Sequence, residues 1–151
     1  MRVVIQRVSE ASVEISGEVH SKIDHGLLLL VGFEATDTDA DLEWMASKIV
    51  NQRIFSDESG KMNKSLMDIN GEILVVSQFT LHAETKKGNR PSFIRSARPE
   101  TAIPLYEKFI TVMEKLLAKT VKTGRFGADM KVKLVNDGPV TIMMDSRYKE
   151  F

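Results

Sequence analysis

Gly26-Leu27-Leu28-Leu29-Leu30-Val31-Gly32 is the most apolar stretch of the sequence, and its interpretation decides the fold class. The consecutive apolar residues leave no polar face, which is typical of a short strand covered on both sides. A buried helix would give the same pattern, so this alternative stays open. The stretch is much shorter than the roughly 20 apolar residues that span a bilayer, so we expect no membrane-spanning segment.

Upstream of this stretch, alternating apolar residues predict three strands, at residues 2–9, 11–15 and 19–24. A turn is expected at Ser16-Gly17, because glycine tolerates the positive φ of tight hairpins. The sequence starts directly with this strand pattern and shows neither the charged nor the long apolar region of a secretory signal. We therefore expect a cytoplasmic location.

Downstream, two helices are predicted from apolar residues at helical spacing. The first covers residues 42–50, and Asp37 or Thr38 is expected to cap its start. The second covers about residues 99–119. Its predicted apolar stripe consists of Leu105, Phe109, Val112 and Leu116.

Three further strands complete the predicted fold. Asn70-Gly71 is the strongest hairpin signal, and a strand is predicted after it at residues 72–81. Two more strands are predicted at residues 131–135 and 140–145. Together these elements predict an α/β fold with one mixed, antiparallel-rich, barrel-like sheet and two main helices. We expect residues 1–151 to form a single domain.

The composition is that of an ordinary globular protein, with 42% hydrophobic and 28% charged residues among 151. No cysteine is present, which excludes a disulfide framework and a thiol nucleophile. The 21 basic and 21 acidic residues balance, which argues weakly against a nucleic-acid partner. However, residues 85–99 contain five basic residues and no acidic one, so they form either a solvated surface or a phosphate-binding one.

Catalysis by side chains finds little support in the sequence. His20, His25 and His82 have no spacing that would bring two of them to one helix face, so no metal site is expected. The glycine-rich motifs of serine hydrolases and of nucleotide-binding proteins are absent from the sequence. We also expect no Asp or Glu in an apolar setting suited to acid or base catalysis.

Two segments are unusual. Residues 75–81 begin as a buried strand and place Ser77, Gln78 and Thr80 at its end, where sites commonly form. Alternatively, they form an edge strand whose polar side chains face water. Residues 136–141 contain Gly138-Pro139, a turn dipeptide in which a cis peptide bond is accessible. An ordinary β-turn is the alternative there.

These two segments resemble the D-aminoacyl-tRNA deacylase family, and three further blocks match it in the same order. The blocks are Met1-Arg2-Val3-Val4-Ile5-Gln6-Arg7-Val8, Ser77-Gln78-Phe79-Thr80-Leu81, Lys87-Gly88-Asn89-Arg90-Pro91-Ser92-Phe93, Gly124-Arg125-Phe126-Gly127-Ala128-Asp129-Met130 and Asn136-Asp137-Gly138-Pro139-Val140-Thr141. The resemblance extends from the first residue to about Ser146.

The resemblance implies an enzyme that hydrolyses the ester between a D-amino acid and the terminal adenosine of tRNA, with mischarged glycyl-tRNA as a further substrate. It also implies a homodimer with active sites at the subunit interface, no cofactor or metal, and no DNA or membrane partner. A non-catalytic RNA-binding dimer is the alternative. Only 7% of the residues are aromatic, which is few for a surface that stacks bases.

The resemblance further implies three groups of site residues. The catalytic group, with the Phe79 N–H at the developing oxyanion, contains Ser77, Gln78, Phe79 and Thr80. The chiral-selection group is a cis Gly138-Pro139 dipeptide that is inserted into the partner's site and supported by Arg7. Alternatively, Arg7 is an ordinary surface residue of a strand. The tRNA-binding group contains Phe126, Gly127, Ala128 and Met130 at the adenosine, and Lys86, Lys87 and Arg90 at phosphates.

Overall fold

The structure is a computed structural model and describes residues 1–150. Its elements, in chain order, are β1 (Arg2–Ile15), β2 (Glu18–Ile23), β3 (Gly26–Gly32), α1 (Asp39–Asn51), β4 (Phe55–Ser56), β5 (Met62–Lys64), β6 (Glu72–Ser77), a 3₁₀ turn (Phe79–His82), α2 (Pro99–Leu117), β7 (Lys122–Thr123) and β8 (Lys131–Asp145). None of the helices in this range is long and apolar enough to cross a membrane.

The main sheet is mixed and rich in antiparallel pairs. Its strand order is β2-β1-β3-β6-β7, and β8 pairs with the other edge of β1. The β3–β6 and β6–β7 pairs are parallel, whereas β1 is antiparallel to β2, β3 and β8. The two ends of this order meet, because the Ser21 hydroxyl donates a hydrogen bond to the Thr123 carbonyl at 2.8 Å. This almost closed barrel with two helices confirms the predicted fold class.

The apolar stretch at residues 26–32 is strand β3, so the helical alternative is wrong. Leu27 and Leu29 face a core shared with α1 and α2. Leu28 faces the opposite way and packs in the barrel interior with Val8 and Leu74. Burial on both faces explains why the stretch has no polar position.

The predicted break within residues 2–15 is wrong, since this range forms one continuous strand. β8 likewise runs from Lys131 to Asp145, but its pairing with β1 passes directly from Asn136 to Thr141, so residues 137–140 form a loop within β8. The polar pair Ser9-Glu10 interrupts the apolar alternation, but the interruption corresponds to shifts in the β1–β8 register between Gln6 and Glu10. An extra residue in a ladder disturbs the sequence pattern as a turn does, while the strand itself continues.

The predicted Asn70-Gly71 hairpin is also wrong. Asn70 adopts the expected left-handed conformation, with φ of 51°. However, the strand that follows, β6, pairs in parallel with β3 and has no antiparallel neighbour before the turn. β6 also ends at Ser77 and not at residue 81, because the chain leaves the sheet as a 3₁₀ turn.

Both helices are confirmed, with Thr38 preceding α1 and its N–H bonded to the Asp41 carboxylate at 2.8 Å. The buried stripe of α2 differs from the predicted one. It consists of Ala102, Tyr106, Phe109 and Met113. Leu116 remains exposed, and Tyr106 is buried because its hydroxyl donates to the Val75 carbonyl at 2.9 Å. The two stripes are adjacent rows of the same helix that share Phe109.

Candidate active site

Within residues 1–150, the turn that follows β6 presents backbone N–H groups that have no acceptor. The Gln78 N–H donates to the Val31 carbonyl at 2.7 Å and fixes the chain to the end of β3. The first bond of the 3₁₀ turn runs from the Leu81 N–H to the Gln78 carbonyl at 3.3 Å. The intervening N–H groups of Phe79 and Thr80 therefore have no acceptor within residues 1–150. Such donors at a helix start can bind a negatively charged oxygen.

A cavity of about 350 Å³ adjoins this turn. One wall is Ser77, Gln78 and Phe79, and the facing wall comes from residues 126–130. The Phe126 ring packs edge-on against Tyr106, with centroids 5.9 Å apart, so it is held in place by a buried side chain. Burial raises the pKa of Tyr106, which keeps its hydroxyl neutral.

Gly127 and Gly32 both line the cavity, and glycine is favoured at the two positions for different reasons. Gly127 has φ of 74°, and a Cβ there would meet nothing within 4 Å. A Cβ on Gly32 would lie 2.7 Å from the Gln78 carbonyl oxygen, so only glycine lets the turn approach the end of β3. In the sequence, Gly32 marks only the boundary of the apolar stretch. A glycine can end an apolar stretch whether or not a turn packs against it. The sequence therefore contains no signal for the place of Gly32 in the site.

The structure brings two of the predicted groups together and leaves others apart. Ser77, Gln78 and Phe79 line one cavity with the predicted adenosine-binding residues, which are Phe126, Gly127, Ala128 and Met130. Thr80 joins them through the Gln78 side-chain amide, which donates to its hydroxyl at 2.6 Å. Three predicted residues lie outside the lining of this cavity in the single chain, namely Arg7, Gly138 and Pro139. The basic residues Lys86, Lys87 and Arg90 also lie outside it.

Arg7 is buried and holds the chain around Gly138. Its Nε donates to the Asp137 carbonyl at 3.0 Å, and a terminal nitrogen donates to the Ile54 carbonyl at 2.6 Å. The Gly138–Pro139 peptide bond is cis, and Gly138 has φ of 133°. A Cβ on Gly138 would lie 2.9 Å from both the Arg7 guanidinium and the Val140 side chain. Arg7 is therefore no plain surface residue, and the loop conformation requires glycine.

Residues 84–98, which we term the basic strap, leave the turn and return along the cavity. Glu84 and Ser92 exchange two backbone hydrogen bonds, of 2.8 and 3.0 Å, which close a loop. The tip of this loop carries three exposed cations, Lys86, Lys87 and Arg90. Within the described residues 1–150, none of them lies within 4.0 Å of a carboxylate. Their charges are available to a polyanion.

Two acidic side chains are buried, but neither lies in the apolar setting that suits acid or base catalysis, because each is paired with an arginine. Glu34 is buried beside Arg95, whose Nε donates to it at 2.9 Å, and Asp145 is buried beside Arg2, whose Nε donates at 2.8 Å. Burial acts to raise the pKa of Asp145, but hydrogen bonds from Arg2 and the Arg147 N–H lower it overall. Each carboxylate is therefore paired with an arginine, and neither belongs to the lining of the cavity.

The fold and the cavity define a small mixed barrel with a ligand-sized site beside free main-chain donors. The family model described as D-Tyr-tRNA(Tyr) deacylase matches residues 4–145, and the chain belongs to this family. This match confirms the family inferred from the five sequence blocks.

Named relatives agree with that assignment, and solved structures share the fold. Two relatives named D-aminoacyl-tRNA deacylase, from Cytophaga hutchinsonii and Bacteroides thetaiotaomicron, are 63% and 60% identical over 150 residues. Each comparison covers 99% of this chain and 100% of the relative. A solved c-Myc DNA Unwinding Element Binding Protein superposes with a TM-score of 0.92 and 46% identity, covering 96% of this chain and 98% of that one. A solved probable eukaryotic D-amino acid tRNA deacylase shares the fold, with a TM-score of 0.82 and 18% identity. The comparison covers 95% of this chain and 97% of that one.

Proposed function

We propose that the chain hydrolyses the ester bond of D-aminoacyl-tRNA and releases the free D-amino acid and tRNA. The observation that carries this proposal is the cavity that joins the Ser77–Phe79 wall to residues 126–130. This cavity is large enough for the terminal adenosine, and its rim offers unpaired N–H groups for the ester carbonyl. The high identity to two relatives of the same length and name supports the same activity.

Hydrolysis requires a positioned water and donors for the oxyanion. Water adds to the ester carbon, the Phe79 N–H stabilises the negatively charged oxygen, and the bond to the ribose oxygen then breaks. The leaving ribose oxygen takes up the proton that the attacking water loses, and the neighbouring ribose hydroxyl orients the water. One such oxyanion donor typically contributes about 10²–10³ in rate. Thr80 is no nucleophile in this scheme, because its hydroxyl accepts from the Gln78 amide, which cannot act as a base.

Selection for the D configuration is assigned to Gly138-Pro139 of a second copy of the chain. The dipeptide is exposed, lies outside its own chain's cavity and is braced by buried Arg7. Within residues 1–150, β8 pairs with β1 alone, so its outer edge is unpaired. That edge carries the half-exposed apolar side chains of Val135 and Met143, which suits burial in a symmetric dimer. Rigid main chain at the site would exclude an L side chain.

The tRNA is held by its terminal nucleoside and its phosphates. Phe126, Gly127, Ala128 and Met130 bind the adenosine, since a ring, small residues and a polarisable thioether suit a flat base. Lys86, Lys87 and Arg90 contact phosphates, which positions the tRNA without reading its sequence. Because charged tRNA is used in translation, we infer a cytoplasmic site of action.

Charged tRNA tests the proposal directly. The purified chain is incubated with D-tyrosyl-tRNA and, separately, with L-tyrosyl-tRNA, and the released amino acid is measured against spontaneous hydrolysis. We expect rapid release of D-tyrosine and background release of L-tyrosine. Binding of tRNA without release of either amino acid would contradict the proposal and indicate the non-catalytic RNA-binding dimer.

A further inference from the structure

Two exposed aromatic rings lie at the rim of the cavity, and the mechanism above uses neither of them. The side chains of Phe79 and Phe93 are 57% and 37% exposed. Their ring centroids are 5.1 Å apart, with an angle of 76° between the planes. The catalytic role assigned to Phe79 rests on its backbone N–H, so the exposure of its ring requires a separate explanation. Large apolar side chains grouped on a surface commonly mark a binding site.

The ring pair is held in a fixed place by the basic strap. The Ser96 hydroxyl donates to the Phe79 carbonyl at 2.8 Å, and the Ala97 N–H donates to the Phe33 carbonyl at 2.8 Å. One residue before Ser96, the Arg95 guanidinium pairs with buried Glu34 at 2.8 Å. The strap is therefore anchored immediately after Phe93, and the rings form a preorganised surface.

The strap also gives the site a direction. Ala97 lines the cavity, Phe93 packs on Phe79 at its rim, and the cations Lys86, Lys87 and Arg90 lie at the loop tip. Going outward from the cavity, the strap therefore presents an apolar wall, then aromatic rings, then unpaired positive charge. A single-stranded nucleic acid bound through its last nucleoside has its preceding bases and its phosphates outside the cavity, where the rings and the cations lie.

We propose that Phe79 and Phe93 form a stacking platform for the base that precedes the terminal adenosine. The proposal rests on the proposed function, because the terminal adenosine must occupy the cavity for the next base to reach the rings. Stacking on aromatic rings tolerates any base identity and leaves the strand unpaired. A second copy of the chain is the other possible occupant of these rings, and the experiment separates the two.

Two short substrates isolate the contribution of the platform. D-tyrosyl-adenosine fills the cavity alone, whereas D-tyrosyl-cytidylyl-adenosine adds one preceding base. The quantity measured is the ratio of kcat/KM for the longer substrate to kcat/KM for the shorter one. Loss of one stacking aromatic typically costs about 5- to 150-fold in affinity, so we expect a wild-type ratio in this range. A substitution that damages the enzyme in general lowers kcat/KM for both substrates by the same factor, so it leaves their ratio unchanged.

The Phe93→Ala variant is expected to reduce the ratio to near one, and Phe93→Trp is expected to retain it. Ile94→Ala is the matched control, because Ile94 is the neighbouring apolar residue, is 84% exposed and has no ring. A wild-type ratio near one, or an unchanged ratio in Phe93→Ala, would overturn the proposal. The proposal would also be overturned if Phe93→Ala sediments as a monomer and the wild type as a dimer. This result would show that a second copy of the chain covers the rings.

A binding measurement separates failure of the platform from failure of the proposed function. Fluorescence anisotropy compares the affinities of adenosine and the uncharged dinucleotide cytidylyl-adenosine, each in competition with a labelled probe. We expect tighter binding of the dinucleotide, lost in Phe93→Ala. If this pattern holds while D-tyrosyl-tRNA is not hydrolysed, the deacylase activity is wrong and the platform stands. If the two ligands bind equally well, the platform is wrong whatever the activity.

Discussion

The side-chain amide of Gln78 donates a hydrogen bond to the Thr80 hydroxyl over 2.6 Å, next to the N–H groups that begin the 3₁₀ turn. An amide N–H can only donate, so this contact cannot remove a proton from the hydroxyl. In residues 1–150, the other bonds at the turn also fix its shape, such as that from the Ser96 hydroxyl to the Phe79 carbonyl. The Thr80 hydroxyl thus positions the turn, and the main chain supplies the donors.

Truncating Thr80 therefore tests whether its hydroxyl reacts. We expect Thr80→Ala to lower kcat by about tenfold or less, because one neutral hydrogen bond contributes about 0.5–1.5 kcal/mol. Removal of a triad nucleophile costs about 10⁶. Thr111→Ala, which removes an exposed hydroxyl bonded within α2, serves as the control. Complete loss of turnover in a correctly folded Thr80→Ala protein would show that the hydroxyl carries the reaction. We expect Ser77→Ala to behave as Thr80→Ala does.

Gly138→Ala is expected to abolish hydrolysis while the protein stays folded. The added methyl would lie 2.9 Å from the Arg7 guanidinium and from the Val140 side chain, and φ of 133° disfavours any L side chain. The loop must therefore move. Gly60→Ala is the matched control, since Gly60 also has positive φ, of 79°, but a Cβ there meets nothing within 4 Å. Deacylation of D-tyrosyl-tRNA at the wild-type rate by Gly138→Ala would show that the loop does not contribute to the site.

Sharing of the site between two subunits predicts complementation. We expect Thr80→Tyr to block the turn and Gly138→Trp to block the loop, so each homodimer should be inactive. A mixed dimer contains one site made from an intact turn of one chain and an intact loop of the other. Rates measured on isolated heterodimers should therefore recover about half of the wild-type value, as expected for one composite site of two in a symmetric dimer. Verified heterodimers that stay inactive would place the whole site within one chain.

The apolar stretch at residues 26–32 shows why much of the fold could be predicted. A strand with no polar face must be covered on both sides, and β3 lies between a helix-covered core and the barrel interior. The break predicted near Ser9 failed because local pattern cannot distinguish a ladder irregularity from a turn. The interruption at Gly138 was predicted, but not that it is a loop within one long strand, β8. The outcome depends on β1 and β8, which pair along their lengths although they are distant in sequence.

The lining of the cavity was predictable where it lies in short motifs, and contacts between distant segments were not predictable. Sequence blocks indicated both Ser77–Phe79 and residues 126–130, and the structure places them around one cavity. The contact of Ser96 with Phe79 joins residues in separate segments and has no local pattern. The same holds for the ion pair of Glu34, whose partner Arg95 reaches it from the strap.

Asp145 predicts how stability depends on pH. Because its pKa is lowered in the folded protein, ionised Asp145 stabilises the fold above its ordinary pKa of 3.8. This contribution is lost as the pH falls through the lower pKa of the folded state. We therefore expect Asp145→Asn to lower the free energy of unfolding in urea at pH 7, and the difference from wild type to shrink below pH 3.8. Asp24→Asn is the control, because Asp24 is exposed. A difference between Asp145→Asn and wild type that does not change with pH would contradict a stabilising ion pair between Asp145 and Arg2.

The central claim, that a backbone N–H stabilises the oxyanion, is tested most directly by removing that group alone. Replacing Phe79 with phenyllactic acid exchanges its N–H for an ester oxygen and keeps the ring. Phe79→Leu is the complementary control, because it keeps the N–H and removes the ring. With D-tyrosyl-adenosine as substrate, we expect the ester replacement to lower kcat by about 10²–10³, and Phe79→Leu to lower it far less. Wild-type kcat in the folded ester-containing protein would contradict catalysis by this main-chain donor.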